Sequence, residues 1–308
     1  MIYKNILQTV GNTPIVEIKS FTNNCDSKIF AKVEWCNVGG SVKTRTAYNM
    51  ILKAKEAGLI NKNTVIVEPS SGNQGVGLAL VGAVLGLKVI IIMPSSVSTE
   101  RKKLITHYGA RVITIKDDGD IGKCIKDCIN KAHEIKRANP NVYIPNQFEN
   151  YYNVEAHYQS TASEIIKELG KNIDAVCLGV GSGGSITGIG RRLKEANPDI
   201  QIWAVEPEKG AILSGKKVES HIQMGIGDGI IPSILDREII TDIYTVADKT
   251  AIKYAKELAK REGLACGISS GSNIACAVML AKRLGKGKRI VTLLPDGAEK
   301  YFSTPLFD

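Results

Sequence analysis

The 308-residue sequence has no unbroken apolar run long enough to cross a bilayer, because Gly and Pro interrupt the longest ones. Its start, Met1-Ile2-Tyr3-Lys4, turns polar too soon for a secretion signal, so neither a membrane span nor a signal peptide is expected. There is no C-x-x-C pair either. The seven cysteines lie far apart, with only Cys124 and Cys128 one helix turn from each other. An odd, scattered set argues against a disulfide framework and for reduced thiols, hence a cytoplasmic protein. The histidines (His107, His133, His157, His221) are isolated and lack metal-ligand spacing with the cysteines, so no metal is expected. Like charges do not form runs. The net charge is +9, but the lysines are interspersed with acids and no basic–aromatic stripe occurs, which sets nucleic acid aside as a partner. A generally basic field suits small anions.

What the chain does have is alternation. Apolar runs rich in β-branched residues predict strands at Ile29–Val33, Val65–Glu68, Val89–Met93, Arg111–Ile115, Ala175–Leu178, Ile202–Val205 and Ile290–Leu294. Helical patterns intervene at Ala47–Ala57, Gln74–Leu85, Glu100–Tyr108, Ile121–Arg137, Glu155–Leu169, Ser185–Ala196, Lys249–Glu262 and Ser272–Leu284. Such βα alternation predicts an α/β protein of two lobes, each a twisted, mostly parallel sheet with helices on both faces. The larger lobe is expected to comprise residues 1–40 and 146–308, and a smaller, mobile one residues 41–145. Ligands bind beyond the carboxyl ends of parallel strands, so the loops that follow strands carry the information.

Lys43 is the centre of the reading. Gly39, Gly40 and Ser41 deliver it at a turn just before a helical run, where backbone dipoles disfavour its charge and partial burial lowers its pKa. An amine so placed can form a Schiff base with a carbonyl compound, although a surface lysine at a helix start has the same local sequence. Downstream, Glu68-Pro69-Ser70-Ser71-Gly72-Asn73-Gln74-Gly75 joins a strand to a helix of small residues. Its N–H groups, hydroxyls and amide suit a carboxylate or phosphate, and equally an ordinary helix cap. Gly179-Val180-Gly181-Ser182-Gly183-Gly184-Ser185 can fold into an anion-binding nest. It also reads as G-x-G-x-x-G with Glu206 about 20 residues on, so a nicotinamide-dependent oxidoreductase is a rival. Cys266-Gly267-Ile268-Ser269-Ser270-Gly271-Ser272 opens another helix, and a serine cap suffices to explain it.

Together these loops resemble the cysteine synthase (O-acetylserine sulfhydrylase) and cystathionine β-synthase family, pyridoxal 5'-phosphate enzymes with the tryptophan synthase β-like fold (fold type II). The resemblance covers essentially the whole chain. It runs from Gly11-Asn12-Thr13-Pro14 through the lysine, asparagine and glycine loops to Leu294-Pro295-Asp296 and Tyr301-Phe302-Ser303-Thr304. It implies that Lys43 tethers pyridoxal phosphate and later moves the substrate's α-proton. It further implies that Asn73 meets the ring hydroxyl, that Gly181, Ser182, Gly183, Gly184 and Ser185 cradle the phosphate, and that Ser269 faces the pyridine nitrogen. Ser70, Ser71, Gly72, Gln74 and Gln147 would hold the amino acid's carboxylate, and closure of the smaller lobe would shield a reactive aminoacrylate from water. A homodimer is implied too. The rival nicotinamide reading, and that of a catalytically silent binding subunit, explain less of the lysine and asparagine loops.

The sequence departs from the family pattern in one chemically pointed place. Within Gly225-Ile226-Gly227-Asp228-Gly229-Ile230-Ile231-Pro232, a carboxylate stands where cysteine synthases usually carry a small neutral residue. Asp228 would repel an incoming hydrosulfide or a departing acetate, yet could deprotonate water or a neutral thiol; it could also simply cap its turn. Gln74 stands in place of a usual threonine, and Gly297 in place of a usual serine. The favoured expectation is β-replacement on L-cysteine, with hydrogen sulfide leaving and water or a thiol adding, catalysed by Lys43 and Asp228. The alternative is synthesis of L-cysteine from O-acetylserine and sulfide. The expected partners are therefore a small amino acid and sulfide or a thiol; a complex with a serine acetyltransferase is possible by resemblance but disfavoured by Asp228.

Overall fold

The computed structural model describes residues 2–22, 26–70, 72–119 and 121–308; Ser71 and Cys25 lie outside the described residues. Two sheets organise it. The larger runs in the order β1 (Ile15–Ile18), β2 (Lys28–Val33), β10 (Arg289–Leu294), β7 (Ala175–Gly179), β8 (Gln201–Pro207), β9 (Asp242–Val246). All its neighbours are parallel except β1 with β2. The smaller sheet, β5 (Arg111–Ile115), β4 (Lys88–Pro94), β3 (Val65–Pro69), β6 (Val142–Tyr143), is wholly parallel.

Both sheets are covered on both faces, which is why their strands read as continuous apolar runs. In the larger sheet alternate residues go to separate cores. Ala175, Cys177, Trp203, Val205 and Ile290 pack under α8 (Asp248–Glu262) and α9 (Ile268–Leu284). Val176, Leu178, Ile202, Ala204 and Val291 pack under α6 (Ala162–Leu169) and α7 (Gly184–Ala196). In the smaller sheet Ile66, Ile91 and Met93 face α1 (Lys43–Glu56), α2 (Asn73–Leu85) and α3 (Thr99–His107), whereas Val67 and Ile92 face α4 (Ile121–Ala138). Each fully buried aliphatic side chain contributes roughly 1.5–3 kcal/mol. No helix among the described residues is long and apolar enough to cross a membrane.

Seven expected strands are present with bounds shifted by at most two residues. The strands that the pattern missed are β1 and β9, which are edge strands, and β6, which has two residues. None buries two faces, so none leaves an apolar run. Three helices differ instructively. Helix α1 begins at Lys43, not Ala47, because Thr44, Arg45 and Thr46 are polar yet buried and break the amphipathic pattern. Lys43 is therefore the first residue of the helix rather than a residue ahead of it. Helix α9 begins at Ile268, not Ser272, for the same reason: Ser269, Ser270 and Gly271 are buried, and a Cβ on Gly271 would run into the Ala251 carbonyl of α8. The single helix expected over Glu155–Leu169 is α5 (Tyr151–Ala156), a π-helical turn (His157–Thr161) and α6.

The polar residues that hide the start of α1 form a buried ionic cluster behind Lys43. Arg45 donates from Nε and Nη2 to both oxygens of Glu34, at 2.8 and 3.0 Å, and from Nη1 and Nη2 to both oxygens of Glu164, at 2.6 and 2.7 Å. Lys32 Nζ lies 2.8 Å from Glu164 Oε2, so two cations meet two carboxylates with hydrogen bonds from Thr13 and Asn37 completing the set. Arg45 holds the Glu164 carboxyl down to about 2, against the opposing effect of burial. The cluster joins β2, α1 and α6.

Removing one partner from such a cluster leaves an uncompensated buried charge. Glu34→Gln should therefore lower unfolding free energy by about 3–5 kcal/mol in urea titration. The Glu164 contribution carries a definite pH sign. Its folded pKa is depressed, so its stabilisation is complete above the usual carboxyl value of 4.5 and lost as pH falls toward 2. Glu164→Gln should flatten the acid limb of the stability curve across that window.

Candidate active site

The site lies where the carboxyl ends of β3, β7 and β10 face one another, and it is built around the amino end of α1. Gly39 and Gly40 have φ of 81° and 69°, a left-handed pair that turns the chain into the helix. Thr44 Oγ1 donates to the Val38 carbonyl at 2.6 Å, and Lys300 Nζ donates to the carbonyls of Gly39 and Gly40 at 3.1 and 2.5 Å. Val42 N–H bonds the Pro295 carbonyl at 2.9 Å, and Ser41 bridges to Asp296. The turn is thus clamped from the larger sheet. Lys43 Nζ then donates to Ser182 Oγ at 3.1 Å. Burial draws its pKa down to about 8, with Asp228 acting in the other direction. An amine at that value is partly neutral, hence nucleophilic, near neutral pH.

Ser182 belongs to the glycine nest. A Cβ on Gly181 would collide with the Gly225 carbonyl, Gly183 has φ of 80°, and a Cβ on Gly184 would collide with Asn153 Oδ1. Gly181 is demanded by close backbone approach, Gly183 by its left-handed conformation and Gly184 by the Asn153 side chain packed against it. The nest ends at the start of α7, whose first N–H groups have no helical acceptor. Ser182 Oγ also accepts from Asn153 Nδ2 at 2.9 Å, and Gly179 N–H is taken by Asn273 Oδ1 at 2.7 Å.

Lys43, Ser70, Gly72, Asn73, Gln74, Gln147, Gly181, Ser182, Ser185, Asp228 and Ser269 all line one cavity. Gly183 and Gly184 stand just behind its wall, shaping the nest, and Ser71 lies outside the described residues. Ser70 Oγ accepts from the N–H groups of Gly72 and Gly75 at 3.3 and 3.1 Å and so holds the loop in shape. Gln74 uses its longer side chain to reach the α1 residue Thr46, whose hydroxyl donates to Oε1 at 2.6 Å. Asn73 Nδ2 donates to Asp296 Oδ2 at 2.7 Å.

The Asp228 carboxyl is raised by burial, and both His221 and Lys43 act on it in the opposite direction. Among the described residues nothing hydrogen-bonds its carboxylate, so the side chain does not cap its own turn. His221 does that work: its ring nitrogens meet the Gly227 carbonyl at 3.0 Å and the Gln223 N–H at 3.2 Å. The Gly297 departure is filled from within the chain, since Glu299 occupies the space a Cβ would need.

Among the buried polar atoms without partners, three belong to residues that line the cavity: Asn73 Oδ1, Gln74 Nε2 and Arg101 Nε. A hydroxyl at Asn73 and a carboxylate at Gln74 would satisfy two of these atoms, a phosphate would fill the nest, and a carbonyl would meet Lys43. Pyridoxal phosphate with an amino acid carries all four, so the residues present fit that cofactor. Sequence reasoning assigned no role to Arg101, Asp296 or Asn153. Arg101 is buried, stacks over Tyr301 at 4.7 Å, and lies 3.6 Å from Asp296. Asp296 in turn accepts from Tyr301 at 2.9 Å. Of the three, only Asp296 falls in a motif named above, Leu294-Pro295-Asp296, that could have pointed to it.

Residues 6–296 match the family model described as pyridoxal-phosphate dependent enzyme. Cysteine synthase B of Campylobacter jejuni is 44% identical over 307 residues, 99% of each chain. A hydrogen sulfide-producing enzyme from Fusobacterium nucleatum is 38% identical with a TM-score of 0.92, covering 98% of this chain and 100% of that one. An O-acetylserine-dependent cystathionine β-synthase from Helicobacter pylori is 37% identical with a TM-score of 0.94, covering 100% of both.

The nest supplies a direct test. Gly181→Ala places a methyl against the Gly225 carbonyl and should weaken pyridoxal phosphate binding about tenfold or more in equilibrium dialysis. Its far-ultraviolet circular dichroism should stay that of the parent.

Proposed function

The chain belongs to the pyridoxal-phosphate-dependent enzymes of the cysteine synthase family, and we propose that it catalyses β-replacement on L-cysteine, releasing hydrogen sulfide. Water adding at Cβ gives L-serine; a thiol adding there gives a thioether amino acid. The observation that carries this reading is the Asp228 carboxylate on the same cavity wall as Lys43, without a hydrogen-bond partner among the described residues.

Lys43, Asn73, Ser269 and the nest from Gly181 to Ser185 would hold the cofactor. Bound there, it supplies an aldehyde for the substrate amine and an electron sink for bond changes at Cα and Cβ. The protein does the rest. Ser70, Gly72, Gln74 and Gln147 hold the substrate carboxylate. The Lys43 amine is the group that would take the proton from the substrate's α-carbon. Hydrosulfide leaves Cβ first; Asp228 then accepts a proton from the water or thiol that adds there, Lys43 returns its proton to the α-carbon, and the proton Asp228 gives up to solvent matches the one the freed hydrosulfide takes, so charge balances across the exchange. A carboxylate at this place disfavours hydrosulfide as the incoming group, because like charges repel more strongly where water is excluded. Residues 41–145 close over the bound amino acid and keep bulk water out.

A second reading, synthesis of cysteine from O-acetylserine and sulfide, is favoured by the likeness to cysteine synthases. The two separate in one assay. The purified enzyme given L-cysteine alone should release sulfide, and Asp228→Asn should slow that release about 10²–10⁴-fold, the usual worth of a general base. Since the base must be ionised, the rate should rise with pH through the raised Asp228 pKa, and this limb should vanish in Asp228→Asn. No sulfide from the parent enzyme contradicts the direction; equal rates for parent and variant remove Asp228 as the base.

A further inference from the structure

Glu68 has no part in the chemistry above, yet it is fully buried and, among the described residues, no lysine or arginine pairs with it. It sits near the end of β3. There the parallel pairing with β6 stops after Ile66 and Tyr143, and the next residues of the β6 side run Ile144-Pro145. Proline has no N–H, so the ladder cannot continue in the ordinary way. The Glu68 side chain takes over. Its Oε2 accepts from Asn146 N–H at 2.8 Å and its Oε1 from Gln147 N–H at 2.9 Å. Asn146 adopts φ of 54°, a left-handed conformation uncommon outside glycine, which turns the chain away from the smaller sheet.

What hangs from this grip gives it meaning. Gln147 lines the cavity, and its carbonyl accepts from Asn153 Nδ2 at 2.8 Å, the same amide that bonds Ser182 in the nest. On its other side Glu68 is two residues ahead of Ser70, whose hydroxyl shapes the opposite wall. A single carboxylate therefore sets the spacing between the loop at 70–74 and Gln147, the two arms that the functional reading above assigns to the substrate carboxylate.

We propose that Glu68 is a positioning residue that holds both arms of the substrate-carboxylate pocket in register, and that only its ionised form does so. A carboxylate offers a good acceptor to each N–H. Once protonated, it keeps a carbonyl oxygen for one and presents a hydroxyl oxygen, a poor acceptor, to the other. Burial pushes its pKa up to about 7, opposed by the two N–H groups. Among the described residues no charged side chain bonds it: Tyr143 on β6 is a phenol raised by burial and by Glu68 itself, Cys128 on α4 is a neutral thiol pushed up to about 12, and Glu149, the nearest carboxylate along the gripped segment, is turned to the Asn146 side-chain amide. β4 sets Ile91 opposite, and α2 has no ionisable residue. Amino-acid affinity should therefore fall as pH drops through about 7.

The proposal rests on the assignment of the carboxylate pocket, not on the identity of the leaving group. The probe is therefore L-alanine, which has the α-amino and α-carboxyl groups and nothing to eliminate. Holoenzyme is titrated with L-alanine at pH 8 and pH 6, following cofactor absorbance, for the parent and Glu68→Gln. The expected result is an apparent Kd about tenfold weaker for Glu68→Gln at pH 8, converging with the parent at pH 6. The same Kd ratio at both pH values, or no difference at either, overturns the proposal. Failure of the parent to bind L-alanine overturns the pocket assignment beneath it, whatever cysteine does. Should Glu68→Gln not retain cofactor, hydrogen exchange in parent holoenzyme decides. Protection of the Asn146 and Gln147 amides, corrected for intrinsic rates, should drop about tenfold between pH 8 and pH 6, and unchanged protection overturns the proposal.

Discussion

An amine held partly out of water at the amino end of a helix is the constraint on which this molecule turns. Burial and the helix dipole both oppose a charge on Lys43, so the position is unfavourable unless the backbone that carries it is held rigidly. The rigidity comes from behind and from beside. Behind, Arg45 binds Glu34 and Glu164, and shares Glu164 with Lys32, in a buried cluster that fixes the first turn of α1. Beside, Lys300 covers the carbonyls of the glycine turn, and the Pro295–Asp296 segment pairs with residues 41–42. Gly11 and Asn12, both with positive φ, belong to the same support, since the Gly11 N–H is held by Asn37, which also bonds Glu34.

The two sheets communicate through polar groups rather than through a shared apolar core. One line runs from Glu68 through Gln147 and Asn153 to Ser182 and Lys43. Another runs from Asn73 through Asp296 to Tyr301 and Arg101. Hydrogen bonds of this kind are directional and lose strength quickly when their geometry slips, whereas apolar contacts tolerate sliding. A cleft wall built this way has few alternative arrangements, which suits the proposal that it holds a carboxylate, a phosphate and an amine in fixed relation. Ligand groups complete it: the partnerless atoms of Asn73, Gln74 and Arg101 all belong to its walls.

Much of this was legible in the chain itself. Strands buried on both faces left unmistakable apolar runs at β3, β4, β7, β8 and β10, and the glycine nest announced itself by a density of glycine that only close approach explains. The edge strands β1 and β9 were not legible, because strands with one covered side resemble loops of mixed composition. The starts of α1 and α9 were misplaced where buried threonines, serines and an arginine mimic surface residues. Asn153 and Glu68 went unassigned for the same reason: sequence does not distinguish a buried, fully engaged polar side chain from a solvated one. Asp228 stood out by its charge between glycines, but its lack of a hydrogen-bond partner is a fact of packing that no spacing encodes.

The central claim is that the amine of Lys43 is the covalent anchor for pyridoxal phosphate. Borohydride reduction of the holoenzyme followed by peptide mass mapping tests it most directly. The account predicts one stoichiometric pyridoxyl-phosphate adduct, on the peptide containing Lys43. An adduct on another lysine, or none at all, would contradict it.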